Sequence, residues 1–147
     1  MACGGGRGTM EWPRDTGKLL QVLLRALGLC DWQINAETWR ATVAPDPISR
    51  TADLALAEGP KDRREAIELL AHEASHMYAS QFCVDPHNIL SAIRWDQLAA
   101  DLVTRLDADA ANEIMEAAQT DGGEFDEEAF ADAMAVVLAA RLRRGMK

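Results

Sequence analysis

The stretch Glu65 to Gln81, EAIELLAHEASHMYASQ, is apolar and helix-favouring, and it contains the motif His72-Glu73-Ala74-Ser75-His76. Residues four apart lie one above the other on a helix, so His72 and His76 can offer two imidazole nitrogens to one metal ion. Glu73 projects about 100° round from His72. That places it beside such an ion and not on it, where a general base for a metal-activated water stands. One rigid element thus supplies two ligands and a base. With His72 at zero on the helical wheel, Ile67, Leu70, Ala71, Ala74, Met77 and Tyr78 gather on the far side, and only Ala66, Leu69 and Cys83 fall near the histidines. The histidines therefore stand off the main apolar stripe, as expected for a cleft with a partly apolar wall. The competing reading, two ordinary histidines of an amphipathic helix, must put two of only three histidines at this spacing by chance.

Outward from this helix, Asp62 followed by Glu65 forms a capping signal at its start, and Asp85-Pro86 closes it with a turn. Upstream, Asp15 or Thr16 can cap a first helix with Leu19, Leu20, Leu23, Ala26 and Leu27 on one stripe, stopped by Gly28. From Asp31 the period becomes two. Trp32, Ile34 and Ala36 define one short strand, Trp39, Ala41 and Val43 a second that Pro45 and Pro47 break, and Ala52, Leu54 and Leu56 a third. Gly59-Pro60 ends this small sheet, expected to be antiparallel. Downstream the chain reads as helical to its end. Ile89, Leu90, Ile93, Leu98, Leu102, Val103 and Leu106 are spaced for one unit, and Ile114, Met115 and Ala118 for another. Asp121-Gly122-Gly123 breaks the pattern before a last helix carrying Phe130, Met134, Val137, Leu138 and Leu142. The fold class expected is α+β: about three strands packed on the HExxH helix, with a largely helical C-terminal half.

At 147 residues the chain suits one domain, placed at 14–147 behind a loose Gly-rich tail at 1–13, with Met10 an alternative start. Its net charge of −9 works against bulk affinity for nucleic acid or anionic lipid, so neither is an expected partner. No run approaches a membrane span, and the N-terminus lacks the charged-then-apolar order of a secretion signal. Cys3, Cys30 and Cys83 form no CxxC pair and read as reduced thiols of a cytoplasmic protein.

A catalytic zinc takes three protein ligands and keeps a position open for water. A metzincin would have Gly and His where Ala79 and Phe82 stand, which excludes that class. His87, beyond the Asp85-Pro86 turn, reads first as a surface residue. The acidic start of the last helix is the better source of a third ligand. Glu127 shares the inward face with Phe130, Met134 and Leu138, and an inward carboxylate needs a counter-charge that a metal supplies. Glu127 is therefore placed first, Glu128 second and Asp132 third; the alternative is that these acids only complement the helix N-terminus. Tyr78 and His87 are the candidates for an oxyanion donor.

The leucine-rich first helix, Asp31-Trp32-Gln33-Ile34, Ala41-Thr42-Val43, Arg50 to Leu54, the HExxH helix and the paired acids of the last helix follow one another in a characteristic order. Over roughly residues 16 to 142 this order resembles that of short HExxH zinc metallopeptidases of phage and actinobacterial type. The stretch between His76 and Glu127 is longer than is usual in that group, and Ala74-Ser75 stand where bulkier apolar residues are common. The resemblance implies a minimal zincin-like fold and a gluzincin-like arrangement. It also implies peptide hydrolysis with one catalytic zinc on His72, His76 and Glu127, Glu73 as general base and a peptide as substrate. By analogy with zincins, the strand Thr51 to Ala57 is expected to hold that substrate along its edge. A non-catalytic helical binding module, its metal structural or absent, is the alternative; a fourth ligand from Cys83 or His87 would favour it.

Overall fold

Leu19, Leu20, Leu23 and Leu24 recur at helical spacing, and all four are buried along one side of α1 (Thr16–Ala26). In the computed structural model, which describes residues 14–38, 42–47, 50–56, 60, 62–84 and 92–145, Asp15 precedes this helix without capping it. Its carboxylate instead receives two bonds from the Arg63 guanidinium, at 3.0 and 2.6 Å, and ties the start of α1 to that of the second helix. Gly28 ends α1 at φ 72, a left-handed conformation in which a Cβ would also strike the Arg105 guanidinium.

Three strands follow: β1 (Gln33–Thr38), β2 (Thr42–Asp46) and β3 (Thr51–Leu56), in the order β1-β3-β2. β2 and β3 form an antiparallel pair with Val43 opposite Leu54, but β1 and β3 run parallel, Gln33 opposite Thr51 and Thr38 opposite Leu56. The sheet is mixed, not antiparallel as expected. Period-two alternation marks which residues share a face but is the same in both ladder types, and so does not encode direction or order. The stretch from β1 to β3 has about the dozen residues that a parallel connection needs, and β2 lies within it. Pro45 does not break β2. It pairs with Ala52 from an edge strand, where a missing N–H is tolerated.

The HExxH helix is α2 (Arg63–Ser80), with the Asp62 carboxylate accepting from the Glu65 N–H at 2.8 Å. It is the central element: α1, β2 and the last helix all pack on it. Ala66, Ala71, Ala74, Ser75 and Ala79 are fully buried, and such small residues let neighbouring elements approach closely. This explains why Ala74-Ser75 occupy the centre of the motif. The Ser75 hydroxyl is satisfied within the helix, donating to the Ala71 carbonyl at 2.7 Å. The Asp85-Pro86 turn, His87, Ile89 and Leu90 lie outside the described residues, as do the tail at 1–13, Trp39, Ala41 and Gly59.

Ile93 does not belong to a helix; it bridges to Cys83 just before α3 (Trp95–Arg105), whose Leu98 and Leu102 are buried while Val103 faces outward. α4 (Ala108–Ala118) buries Ile114 and Ala118, and the turn Asp121-Gly122-Gly123, with Gly123 at φ 81, leads to α5 (Glu127–Arg143). Phe130, Met134 and Leu138 of α5 join the same hydrophobic cluster as the α1 leucines and Leu70, Met77 and Tyr78 of α2. The protein is thus α+β, its sheet beside α2 and its C-terminal half helical.

Candidate metal centre

α5 crosses α2 in the opposite direction, so that its first two turns face the second half of the HExxH helix. Glu127 and Glu128 reach His76, Asp132 reaches His72, and Ala135 and Val136 stand beside Leu69. The local reason is the shape of the α5 entry. Asp126 caps it by accepting from the Ala129 N–H at 3.1 Å, which turns the next two acids toward α2.

Three ligand groups converge. His72 Nε2 and His76 Nε2 are 3.1 Å apart, and the Glu128 carboxylate places one oxygen 3.1 Å from the former and the other 3.2 Å from the latter. Among the described residues, His72, His76 and Glu128 form the one group close enough to hold a metal ion, with ligand atoms within 4.8 Å of one another. Tetrahedral ligands at about 2.0–2.1 Å from zinc stand roughly 3.3 Å apart, so these spacings suit such an ion.

The protonation pattern points the same way. His76 Nδ1 lies 2.6 Å from Glu127 Oε2 and His72 Nδ1 lies 3.0 Å from Asp132 Oδ1. A carboxylate only accepts, so each Nδ1 must carry the hydrogen that it donates, and in neutral rings both Nε2 atoms then present lone pairs. Two lone pairs and a carboxylate facing one point repel unless a cation or added protons sit among them. Burial works against the His76 imidazolium, but the Glu127 hydrogen bond and the charges of Glu127, Glu128 and Glu73 outweigh it and raise the pKa above its ordinary value.

The acid that stands with His72 and His76 in a group close enough to hold an ion is Glu128, whereas Glu127 meets the other nitrogen of His76. Glu127 does turn inward, its side chain 29% exposed against 72% for Glu128, but the inward route brings it to the far nitrogen of His76. His72 and His76 lie on the flank of the apolar stripe of α2, and Glu128 meets them from the flank of α5. Glu127 and Asp132 occupy the outer positions from which a carboxylate fixes the tautomer and ring plane of a ligating histidine. The signal for this set was present in the sequence as Glu128 and Asp132, an i, i+4 pair opposed to the i, i+4 pair of histidines.

Glu73 is buried, 5% exposed, and among the described residues no hydrogen bond or ion pair engages its carboxylate. Burial is the main force lifting its pKa to about 7; the His76 charge opposes the rise and the Glu128 charge adds to it. Its side chain opens into a cleft of about 520 Å³ between α2 and α5. Tyr78 takes no part. It is fully buried, its ring packs against Phe82 and Phe130, and its hydroxyl donates to Asp101, which Arg105 also holds at 2.8 Å. Burial and Asp101 keep the phenol protonated well above its usual range. Cys83 is also outside the converging group, and burial followed by the Glu127 charge keeps its thiol protonated.

Comparison of the chain with protein-family models, with curated proteins and with solved structures gives no match. None of the helices among the described residues is long and apolar enough to cross a membrane.

Proposed function

We propose that this chain is a zinc-dependent metallopeptidase of minimal zincin-like architecture, in line with the short HExxH peptidases that its motif order resembles. The observation that carries the reading is the meeting of His72 Nε2, His76 Nε2 and the Glu128 carboxylate beside a buried, unpartnered Glu73. His72, His76 and Glu128 would hold zinc, a set of two histidines and one glutamate that serves catalytic zinc and leaves a position open. Zinc in such a site supplies Lewis acidity toward a water and toward the carbonyl oxygen of the bond to be cut.

The chain's own residues do the rest. Glu127 and Asp132 hold the two imidazole rings with their Nε2 atoms aimed at one point. Glu73 takes the proton of the attacking water, whose oxygen bonds to the peptide carbonyl carbon. It then gives that proton to the departing nitrogen as the C–N bond breaks, yielding a carboxylic acid and an amine. A carboxyl whose pKa is near 7 is suited to both transfers. For the peptide backbone, β3 is unsuitable, since it is the central strand with its two edges committed to β1 and β2. β2 is the edge strand beside α2, and a substrate would add there as a further strand. A structural zinc would call for a fourth protein ligand; of the two candidates, Cys83 is not in the group and His87 lies outside the described residues.

The test is hydrolysis of a mixed peptide pool by the zinc-loaded chain, abolished by chelator and restored by zinc. Glu73→Gln should keep the metal and lose turnover; full activity in that variant refutes the role of Glu73.

A further inference from the structure

Helix ends fray, because the first N–H groups of a helix have no partner within it. Glu127 and Glu128 are nonetheless the first two residues of α5, and both must keep fixed positions against His76 and His72. α1 and α3 begin without a side-chain cap, and α2 and α4 are capped by one bond to an aspartate. α5 has its Asp126 cap and more. The Asp126 N–H donates back to the Ala118 carbonyl at 2.7 Å, which ties the start of α5 to the last residue of α4. Phe125 adds an apolar anchor. It is half-buried, and its ring meets Trp95 edge-on and Phe130 at a tilt, each with 5.4 Å between ring centres.

Within the turn between α4 and α5 the bonds close on Thr120. Its N–H donates to the Glu124 carbonyl at 2.9 Å, its carbonyl accepts from the Gly123 N–H at 2.9 Å, and its hydroxyl accepts from the Glu124 N–H at 3.1 Å. The first two are backbone bonds that most residues can make. The third needs a side-chain oxygen at this position. Burial does not demand it, since Thr120 is exposed and water could serve both groups. A turn hydroxyl of this kind is common and has a local use. Here, however, the turn that it closes is the one from which two acids of the metal centre project.

We infer that Thr120 is a positioning residue of the metal centre: its hydroxyl closes the α4–α5 turn and so keeps Glu127 and Glu128 in place for an ion. This rests on the zinc reading of the site, and the experiment separates the two. Local opening of the turn competes with zinc binding, so weakening the turn lowers zinc affinity without touching a ligand; by reciprocity, bound zinc protects the turn. The full chain and its Thr120→Val, Thr120→Ser and Asp62→Ala variants are compared for zinc affinity by competition with a chromogenic chelator. Amide hydrogen exchange at Glu124 and Asp126 is followed by NMR with and without zinc. Asp62→Ala is the control, because it removes a bond of the same kind at the start of α2, about 15 Å along the helix from His72.

The expected result is a zinc affinity about fivefold lower in Thr120→Val, the fold-change of one ordinary hydrogen bond. Thr120→Ser, which keeps the hydroxyl, and Asp62→Ala should both bind zinc as the natural chain does. Exchange at Glu124 should be faster in metal-free Thr120→Val than in the metal-free natural chain, and zinc should slow it in both. Natural affinity in Thr120→Val overturns the assignment and leaves the metal centre standing. So does failure of Thr120→Ser to recover the affinity, or an equal loss in Asp62→Ala, which would make affinity follow overall stability. No zinc bound by the natural chain removes the metal centre and the role of Thr120 together.

Discussion

Replacing Glu73 by Gln should make the metal-free protein more stable at neutral pH, although it removes the residue placed at the heart of the chemistry. The carboxyl has a pKa of about 7 in the folded chain against an ordinary 4.5. Between these values the folded state holds a proton that the unfolded state has released, so stability falls as pH rises through the interval. At 1.36 kcal/mol per unit, the ionisable Glu73 costs roughly 3 kcal/mol by pH 7, and nothing below about pH 4.5. Gln has nearly the same shape and no charge. Urea unfolding in the presence of chelator, at intervals from pH 4.5 to 7.5, should therefore show wild type and Glu73→Gln converging at the acid end and separating by up to about 3 kcal/mol at the neutral end. His76, whose pKa is also raised, adds stability that is present below its ordinary value of 6.5 and lost as pH rises further. That loss has the same sign and is smaller in the variant, which lacks the Glu73 charge that helps to raise the His76 pKa. A difference between wild type and variant that does not change with pH would refute the reasoning, because it would mean that Glu73 is not desolvated by the fold.

Further substitutions separate the roles assigned above. Glu128→Ala should lower zinc affinity by more than 100-fold, whereas Glu127→Gln and Asp132→Asn, which leave the ligand set intact, should cost roughly 10- to 100-fold; competition against a chromogenic chelator reads all three. Tyr78→Phe should lower stability by about 1.5–3 kcal/mol through loss of the bond to Asp101 and leave turnover per zinc unchanged, as followed by thermal unfolding and peptide hydrolysis. Asp62→Ala removes the cap of α2 and should cost about 1 kcal/mol, most of it recovered in Asp62→Ser, on a urea curve.

α1, α2 and α5 are legible in the sequence, because each has an apolar stripe at helical spacing and a visible end, whereas Ile93, expected in a helical unit with Leu98 and Leu102, lies outside α3. Asp62 with Glu65, Gly28 and Asp121-Gly122-Gly123 mark such ends, and all three appear as boundaries in the structure. The His72/Glu73/His76 geometry is legible for the same reason, since i, i+4 spacing on one helix needs no tertiary knowledge. What depended on packing between distant elements was harder to read. The direction of β1 is set by which strand it meets, and alternation is blind to that. Likewise, the rule that an inward acid needs a partner favours Glu127 over Glu128. The partner that Glu127 meets is His76 Nδ1, and the wheel of one helix cannot tell which nitrogen of a facing ring its residues will reach. Tyr78, close to His76 in sequence, is committed to Asp101 on the next helix.

The most direct test of the metal centre is zinc content by mass spectrometry on protein purified without added metal, for the natural chain, His76→Ala and Glu128→Ala side by side. The account predicts close to one zinc per natural chain and loss of it in both variants. No metal in any of the three, with no affinity for added zinc, would contradict it and leave the meeting of His72, His76 and Glu128 as a cluster held by protons alone.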